Sequence, residues 1–150
     1  MFDPAEYYEL VTDILWSQKD EVFLESITGF NIYPQQGLWQ VVLWRADLHF
    51  EITGHVLGIY ETYSRDGKGK PLRRRNYRLV CPEGKEIFRF DTHGRECGFD
   101  EPCHVHTADG EELENGHGRL RGYDLADIDF PKVFRLAYRY IFEYEKLPWE

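Results

Sequence analysis

The 150-residue sequence lacks the motifs of several common enzyme classes. It has no P-loop, no GxGxxG fingerprint and no Ser-centred nucleophile elbow, so nucleotide-cofactor and serine-hydrolase functions have no support. No apolar run is long enough to span a bilayer, and the acidic start MFDPAEYYEL lacks the basic region and apolar body of a signal peptide. Nothing repeats at a fixed period. We therefore predict one α+β domain over residues 1–150 with no membrane segment.

Cysteine is scarce and positive charge is outnumbered. Three cysteines, an odd number, fit a reducing cytoplasm better than a disulfide framework, which predicts a cytoplasmic protein. The formal net charge of −9 argues against nonspecific nucleic-acid binding by the whole surface. Residues 68–78, KGKPLRRRNYR, nevertheless hold six of the 18 basic residues. Such a strip can hold a phosphate backbone locally or dock an acidic partner.

Both ends of the chain carry helix-start signals. Asp3 can cap a helix and Pro4 suits its first turn, so the sequence predicts a helix over roughly residues 4–18. Asp129 and Pro131 repeat this signal. They precede an apolar stripe of helical period that continues to Tyr144, which predicts a C-terminal helix.

The chain between the helices has the pattern of β-strands. Its segments are rich in β-branched and aromatic residues and are separated by turns. Pro82-Glu83-Gly84 joins NYRLVCP to KEIFRFD as a hairpin, CHVHT forms a short last strand, and the polar residues 109–122 form a loop. The predicted fold is α+β, a single mostly antiparallel sheet of five or six strands. An N-terminal and a C-terminal helix flank it and cover one face.

Residues 86–110, EIFRFDTHGRECGFDEPCHVHTADG, concentrate three of the six histidines and two of the three cysteines. His104 and His106 are two residues apart, so on a strand both rings point to the same face. Asp91 and His93 repeat this spacing at the end of the preceding strand. If the two strands are neighbours, these four side chains converge at one end of the sheet.

A zinc site is one interpretation of this cluster, because Zn²⁺ takes tetrahedral nitrogen and sulfur ligands. Its candidate ligands are His93, Cys97, Cys103, His104 and His106. No CxxC pair or HExxH motif is present. The alternative is that the histidines only form hydrogen bonds on a partly exposed edge and the cysteines are small core residues.

A metal-free ribonuclease site is the second interpretation, because a histidine pair can divide general-base and general-acid work in RNA cleavage. Arg89 and the basic run lie on adjacent predicted strands and a turn, so they could supply cations for the pentavalent phosphate and steer the substrate. The candidate nucleic-acid-binding residues are Arg73, Arg74, Arg75, Tyr77 and Arg78. Tyr77 could stack on a base. The alternative is that this basic run is a solvated strand edge, charged to discourage strand-to-strand association.

NYRLVCPEGKEIFRFDTHG, followed by EPCHVHT, resembles the core of the TumE-type toxins of prokaryotic toxin–antitoxin pairs. The matching positions are Tyr77, Arg78, Gly84, residues 87–91, His93, Pro102, His104 and His106. The resemblance covers roughly residues 75–107, and Cys103 stands where the family has a tandem histidine. It implies a small cytoplasmic toxin that acts on RNA and is neutralised by a cognate antitoxin. The site residues that it carries over are Arg89, Asp91, His93, His104 and His106.

Three functional hypotheses follow. In an RNA-directed toxin, His104 or His106 is the general base, His93 the acid, and Asp91 orients a histidine. In a non-enzymatic protein, the same cluster either holds zinc as a cofactor or stiffens a loop. The basic hairpin then docks an acidic partner. An accessory protein of a defence or mobile-element system would use the sheet edge to add a partner's strand. A homodimer is compatible with each.

Overall fold

The structure is a computed structural model that describes residues 3–20, 22–28, 40–65, 71–92 and 103–150. These residues form two α-helices, seven β-strands and two short 3₁₀ helices. The helices are α1 (Pro4–Ser17) and α2 (Phe130–Phe142), and the 3₁₀ turns are Gly118–Leu120 and Leu125–Asp127. The strands are β1 (Val22–Thr28), β2 (Gln40–Phe50), β3 (Val56–Arg65), β4 (Pro71–Val80), β5 (Glu86–Thr92), β6 (His104–Thr107) and β7 (Glu112–Glu114).

The strands form one sheet in chain order, β1 to β7, and every neighbouring pair is antiparallel. This confirms the predicted α+β fold, with a single antiparallel sheet and a helix at each end of the chain. Six strands have at least four residues, as predicted, and the three-residue β7 adds a seventh within the predicted loop. Leu113 explains β7, because its buried side chain pairs with Val105 of β6.

Capping residues start both helices as predicted, and only the C-terminal end of the α2 stripe differs from the prediction. The Asp3 carboxylate accepts from the Ala5 N–H at 2.9 Å, and Asp129 accepts from the Lys132 N–H at 3.2 Å. The predicted stripe on α2 does not reach Tyr144, which has a φ of 56° and is 88% exposed. No helix among the described residues has the length and apolar character needed to cross a membrane.

The two helices pack on the same face of the sheet, as predicted. Trp44 of β2 and Glu61 of β3 are paired and point to this face. The Trp44 ring lies 5.1 Å from that of Phe130 on α2, and Tyr7 of α1 donates to Glu61 at 2.9 Å. Because side chains alternate along a strand, the intervening residues of β2 to β6 point the other way. No described element covers that surface, which we call the open face.

Candidate functional site

Polar side chains cross the open face in two rows, because directly paired residues of neighbouring strands lie side by side. One row runs from β3 to β6 through Tyr60, Asn76, Asp91 and His104. The next row runs from β3 to β7 through Gly58, Arg78, Arg89, His106 and Glu112. The two rows thus place one aspartate, two histidines and two arginines side by side on the open face.

Asp91, His104 and His106 meet on the open face, where β5 and β6 are paired. The Oδ2 atom of Asp91 lies 3.1 Å from Nε2 of His104 and 3.3 Å from Nε2 of His106. The imidazole rings stand edge to face with centroids 4.9 Å apart. His104 is only 6% exposed, whereas His106 and Asp91 are partly exposed. The convergence inferred from the sequence spacing is therefore present for these three residues.

Two further residues hold this cluster, and neither is a candidate in the sequence analysis. With its amide nitrogen turned toward Asp91, Asn76 donates to Asp91 Oδ1 at 3.2 Å and to the Arg75 carbonyl at 3.1 Å. On the other side, Nδ1 of His104 lies 3.7 Å from a carboxylate oxygen of Glu112. Asn76 leaves Oδ2 of Asp91 for the histidines, and Glu112 places a second acceptor beside the His104 ring.

Arg89 and Arg78 form the cationic side of the site. Arg89 Nε lies 3.7 Å from Asp91 Oδ2, and its Nη1 lies 3.9 Å from Glu86. Arg78 donates to the same Glu86 carboxylate at 2.6 Å. Both arginine side chains are about half exposed, so an anionic ligand near the histidines can reach them.

A shallow groove of about 340 Å³ adjoins the cluster. Its polar lining comes from β2 to β5 and includes Arg45, Tyr60, Asn76, Arg78, Arg89 and Asp91. Gly58 also lines the groove, and a Cβ atom at this position would stand 3.3 Å from an oxygen of Asp47. The groove joins the Asp91 cluster to an aromatic ring and three arginines.

The sulfur ligands of the predicted zinc site are not part of the described cluster. His93 and Cys97 lie outside the described residues. Cys103 points to the buried face beside Val105 and is disulfide-bonded, so it offers no thiolate next to His104. Within the described segments, the donor atoms that come within 4.8 Å of one another belong to Asp91, His104 and His106.

The predicted nucleic-acid-binding strip is divided between the two faces of β4. Arg74 and Arg78 are exposed on the open face. Arg73, Arg75 and Tyr77 point instead to the helix-covered face, where Tyr77 is fully buried and cannot stack on a base. Tyr60, on the open face, is an aromatic residue that lines the groove beside the cluster.

The inward-facing part of the strip belongs to a buried polar network around Glu61. Its carboxylate accepts from Tyr7 and Tyr77 at 2.9 and 2.8 Å, and also from Trp44 Nε1. Arg73 donates to it at 3.2 Å. Burial, reinforced by the Glu61 carboxylate, raises the pKa of Tyr77 well above its ordinary value of 10.0. These contacts join α1 to three strands, so the inward half of the strip has a structural role.

Arg75, which pairs with Glu61 across β3 and β4, completes the buried network. Its guanidinium donates to the Ala126 carbonyl at 2.9 Å and to the Ile128 carbonyl. Burial lowers the pKa of the Arg75 guanidinium below its ordinary value. Arg75 therefore holds the segment that leads into α2, and it does not serve to bind a ligand.

A larger cavity of about 490 Å³ lies beside the β4–β5 turn and the C-terminus. Its lining includes His55, Cys81, Lys85, Arg119, Tyr140 and Trp149. Among the described residues, the side chains whose ligand atoms lie close enough together to bind one metal ion are on the open face. They do not line this cavity. Size favours this cavity, but the convergence of functional groups favours the open face as the candidate site.

Comparisons of the chain with protein-family models, with curated proteins and with solved structures found no match.

Proposed function

We propose that the protein is a TumE-like toxin of a toxin–antitoxin pair and that it cleaves RNA on the open face. The observation that carries this proposal is the convergence of Asp91, His104 and His106 beside Arg89. All four residues lie within the segment that resembles the toxin family, and spacing alone also groups Asp91 with His104 and His106.

The cluster has the groups that RNA cleavage by transesterification requires. One imidazole takes the proton of the ribose 2′-hydroxyl as its oxygen bonds to phosphorus, and a second protonates the 5′ oxygen that leaves. Asp91 contacts both described histidine rings and orients them. Arg89 supplies positive charge for the pentavalent phosphate. His104 and His106 are the described candidates for proton transfer.

The groove supplies a surface for a single strand. Tyr60 is partly exposed next to Asn76 and offers a ring on which a base can stack. Arg45, Arg78 and Arg89 line the same groove and can contact phosphates. Because the chain carries a net charge of −9, we expect RNA binding to depend on these local arginines and to weaken steeply with salt.

The test is an RNA-cleavage assay in the presence of EDTA. We expect wild-type protein to cut single-stranded RNA into products with 2′,3′-cyclic phosphate ends and to inhibit growth when expressed alone. A His104→Ala/His106→Ala double variant should lose both effects, while His117→Ala, an exposed histidine elsewhere, should keep them. A double variant as inhibitory as wild type would refute the proposal.

As part of this proposal, we place the protein in the cytoplasm, where it meets RNA and a neutralising antitoxin. The disulfide bond of Cys103 is more usual outside that reducing compartment. Alkylation of thiols in cells lysed directly into denaturant tests the placement, because Cys103 is buried in the folded protein. In a cytoplasmic protein the Cys103 disulfide should be reduced in the cell, so we expect Cys103 to be labelled. A blocked Cys103 in rapidly quenched cells would argue against a cytoplasmic toxin.

A further inference from the structure

We propose that Asp91, His104 and His106 form a binding site for one divalent transition-metal ion, with Zn²⁺ as the preferred probe. Two imidazole nitrogens and one carboxylate oxygen are a ligand set that binds zinc and other first-row metals. This set differs from the thiol-containing one predicted from the sequence, because Asp91 takes the place of the cysteines. It also needs no residue outside the described segments.

The distances between the donor atoms fit a common ion. With metal–ligand bonds of about 2.0–2.1 Å, two ligands of a tetrahedral zinc ion lie about 3.3 Å apart. Asp91 Oδ2 lies 3.1 Å from His104 Nε2 and 3.3 Å from His106 Nε2. All three donor atoms fall within 4.8 Å of one another, so rotation of the imidazole rings can bring them onto one ion.

The surrounding contacts are those that orient metal ligands in proteins. Metal-bound histidines commonly donate their other ring N–H to a carboxylate, and ligating carboxylates are themselves hydrogen-bonded. Glu112 lies 3.7 Å from His104 Nδ1, so His104 can present the lone pair of Nε2 to an ion. Asn76 holds Asp91 Oδ1 and leaves Oδ2 to serve as the ligand.

The site has the features of one that binds a metal ion reversibly, and not those of a closed structural zinc site. Three protein ligands leave at least one coordination position for water or a substrate oxygen, as in catalytic zinc sites. Asp91 and His106 are partly exposed, so a ligand can reach that position from solvent. Arg89 Nε, at 3.7 Å from Asp91 Oδ2, competes with the ion for the carboxylate. We therefore expect reversible binding that a chelator removes without unfolding the protein.

This inference does not depend on RNA cleavage, and its test uses the metal alone. Chelator-treated full-length protein is titrated with ZnCl₂ by calorimetry, and Co²⁺ is used to record the visible absorption that reports coordination geometry. We expect one ion per chain. Asp91→Asn, His104→Ala and His106→Ala should each weaken binding by at least about 100-fold.

Two control variants remove metal-binding groups outside the site. Cys81→Ser removes a free thiol of the described residues, and His117→Ala removes an exposed imidazole. Both should bind Zn²⁺ like wild type, and circular dichroism should show that all variants are folded. No binding by the folded wild type, or equal binding by wild type and the three ligand variants, would overturn the inference. Metal binding without RNA cleavage would overturn only the proposed function.

Discussion

Asp91 and His104 are directly paired across β5 and β6, and the carboxylate of one lies 3.1 Å from the imidazole of the other. Because both are fixed on strands of one sheet, their separation is set by backbone hydrogen bonds rather than by a loop. His106, two residues further on β6, shares the same carboxylate oxygen. The sheet therefore prearranges a carboxylate and two imidazoles, whether their ligand is a proton or a metal ion.

Asn76→Ala should weaken Zn²⁺ binding by about 10- to 100-fold, because Asp91 loses the hydrogen bond that fixes its ligating oxygen. Calorimetric titration of the chelator-treated variant measures the change. Arg74→Ala is the matched control, since Arg74 is exposed on the same face of β4, two residues away. Equal losses in the two variants would show that Asn76 does not position Asp91.

Arg74→Ala and Arg78→Ala should each reduce the affinity for single-stranded RNA and lower the slope of log K against log salt by about one. Both side chains are exposed on the open face. Tyr77→Phe should leave RNA affinity unchanged, because Tyr77 is fully buried. Fluorescence anisotropy at several salt concentrations measures all three. Loss of RNA binding on changing Tyr77 alone would contradict the assignment of RNA to the open face.

Zn²⁺ should suppress RNA cleavage, and a chelator should restore it. A bound ion would use the lone pairs of His104 and His106, so neither ring could take up a proton while the ion is bound. The measurement is the initial cleavage rate at increasing free Zn²⁺, with the midpoint compared with the calorimetric dissociation constant. Stimulation of cleavage by Zn²⁺ would show instead that a metal-bound water is the nucleophile or base.

Elements with a complete local signal could be predicted from the sequence. Asp3 and Asp129 cap the two helices, and Gly84 closes the β4–β5 turn with a φ of 86°. The pairing of Asp91 with Asn76 could not be predicted in the same way. A regular register counted from the Val80–Glu86 pair would place Asn76 opposite Phe90, but an irregularity next to Val80 shifts it to Asp91.

Charge alone also could not predict which face of the sheet each residue of the basic strip points to. Arginine is rarely buried unless it is paired, so a run of three is expected at a surface. Alternation along β4 nevertheless places Arg73, Arg75 and Tyr77 on the covered face. Glu61 and backbone carbonyls compensate these buried groups, and such distant partners cannot be identified before the fold is known.

The buried Tyr77 hydroxyl should make the protein lose stability at alkaline pH. Its pKa is raised by burial and by Glu61, so the folded state favours the protonated phenol. This contribution is complete below the unfolded pKa of about 10 and is lost as pH rises through the folded pKa. Between pH 10 and 11, the free energy of unfolding in urea should fall by about 1 kcal/mol more for the wild type than for Tyr77→Phe. Tyr144→Phe, at an 88% exposed position, should keep the wild-type slope, and identical slopes in all three proteins would contradict the burial of a protonated Tyr77.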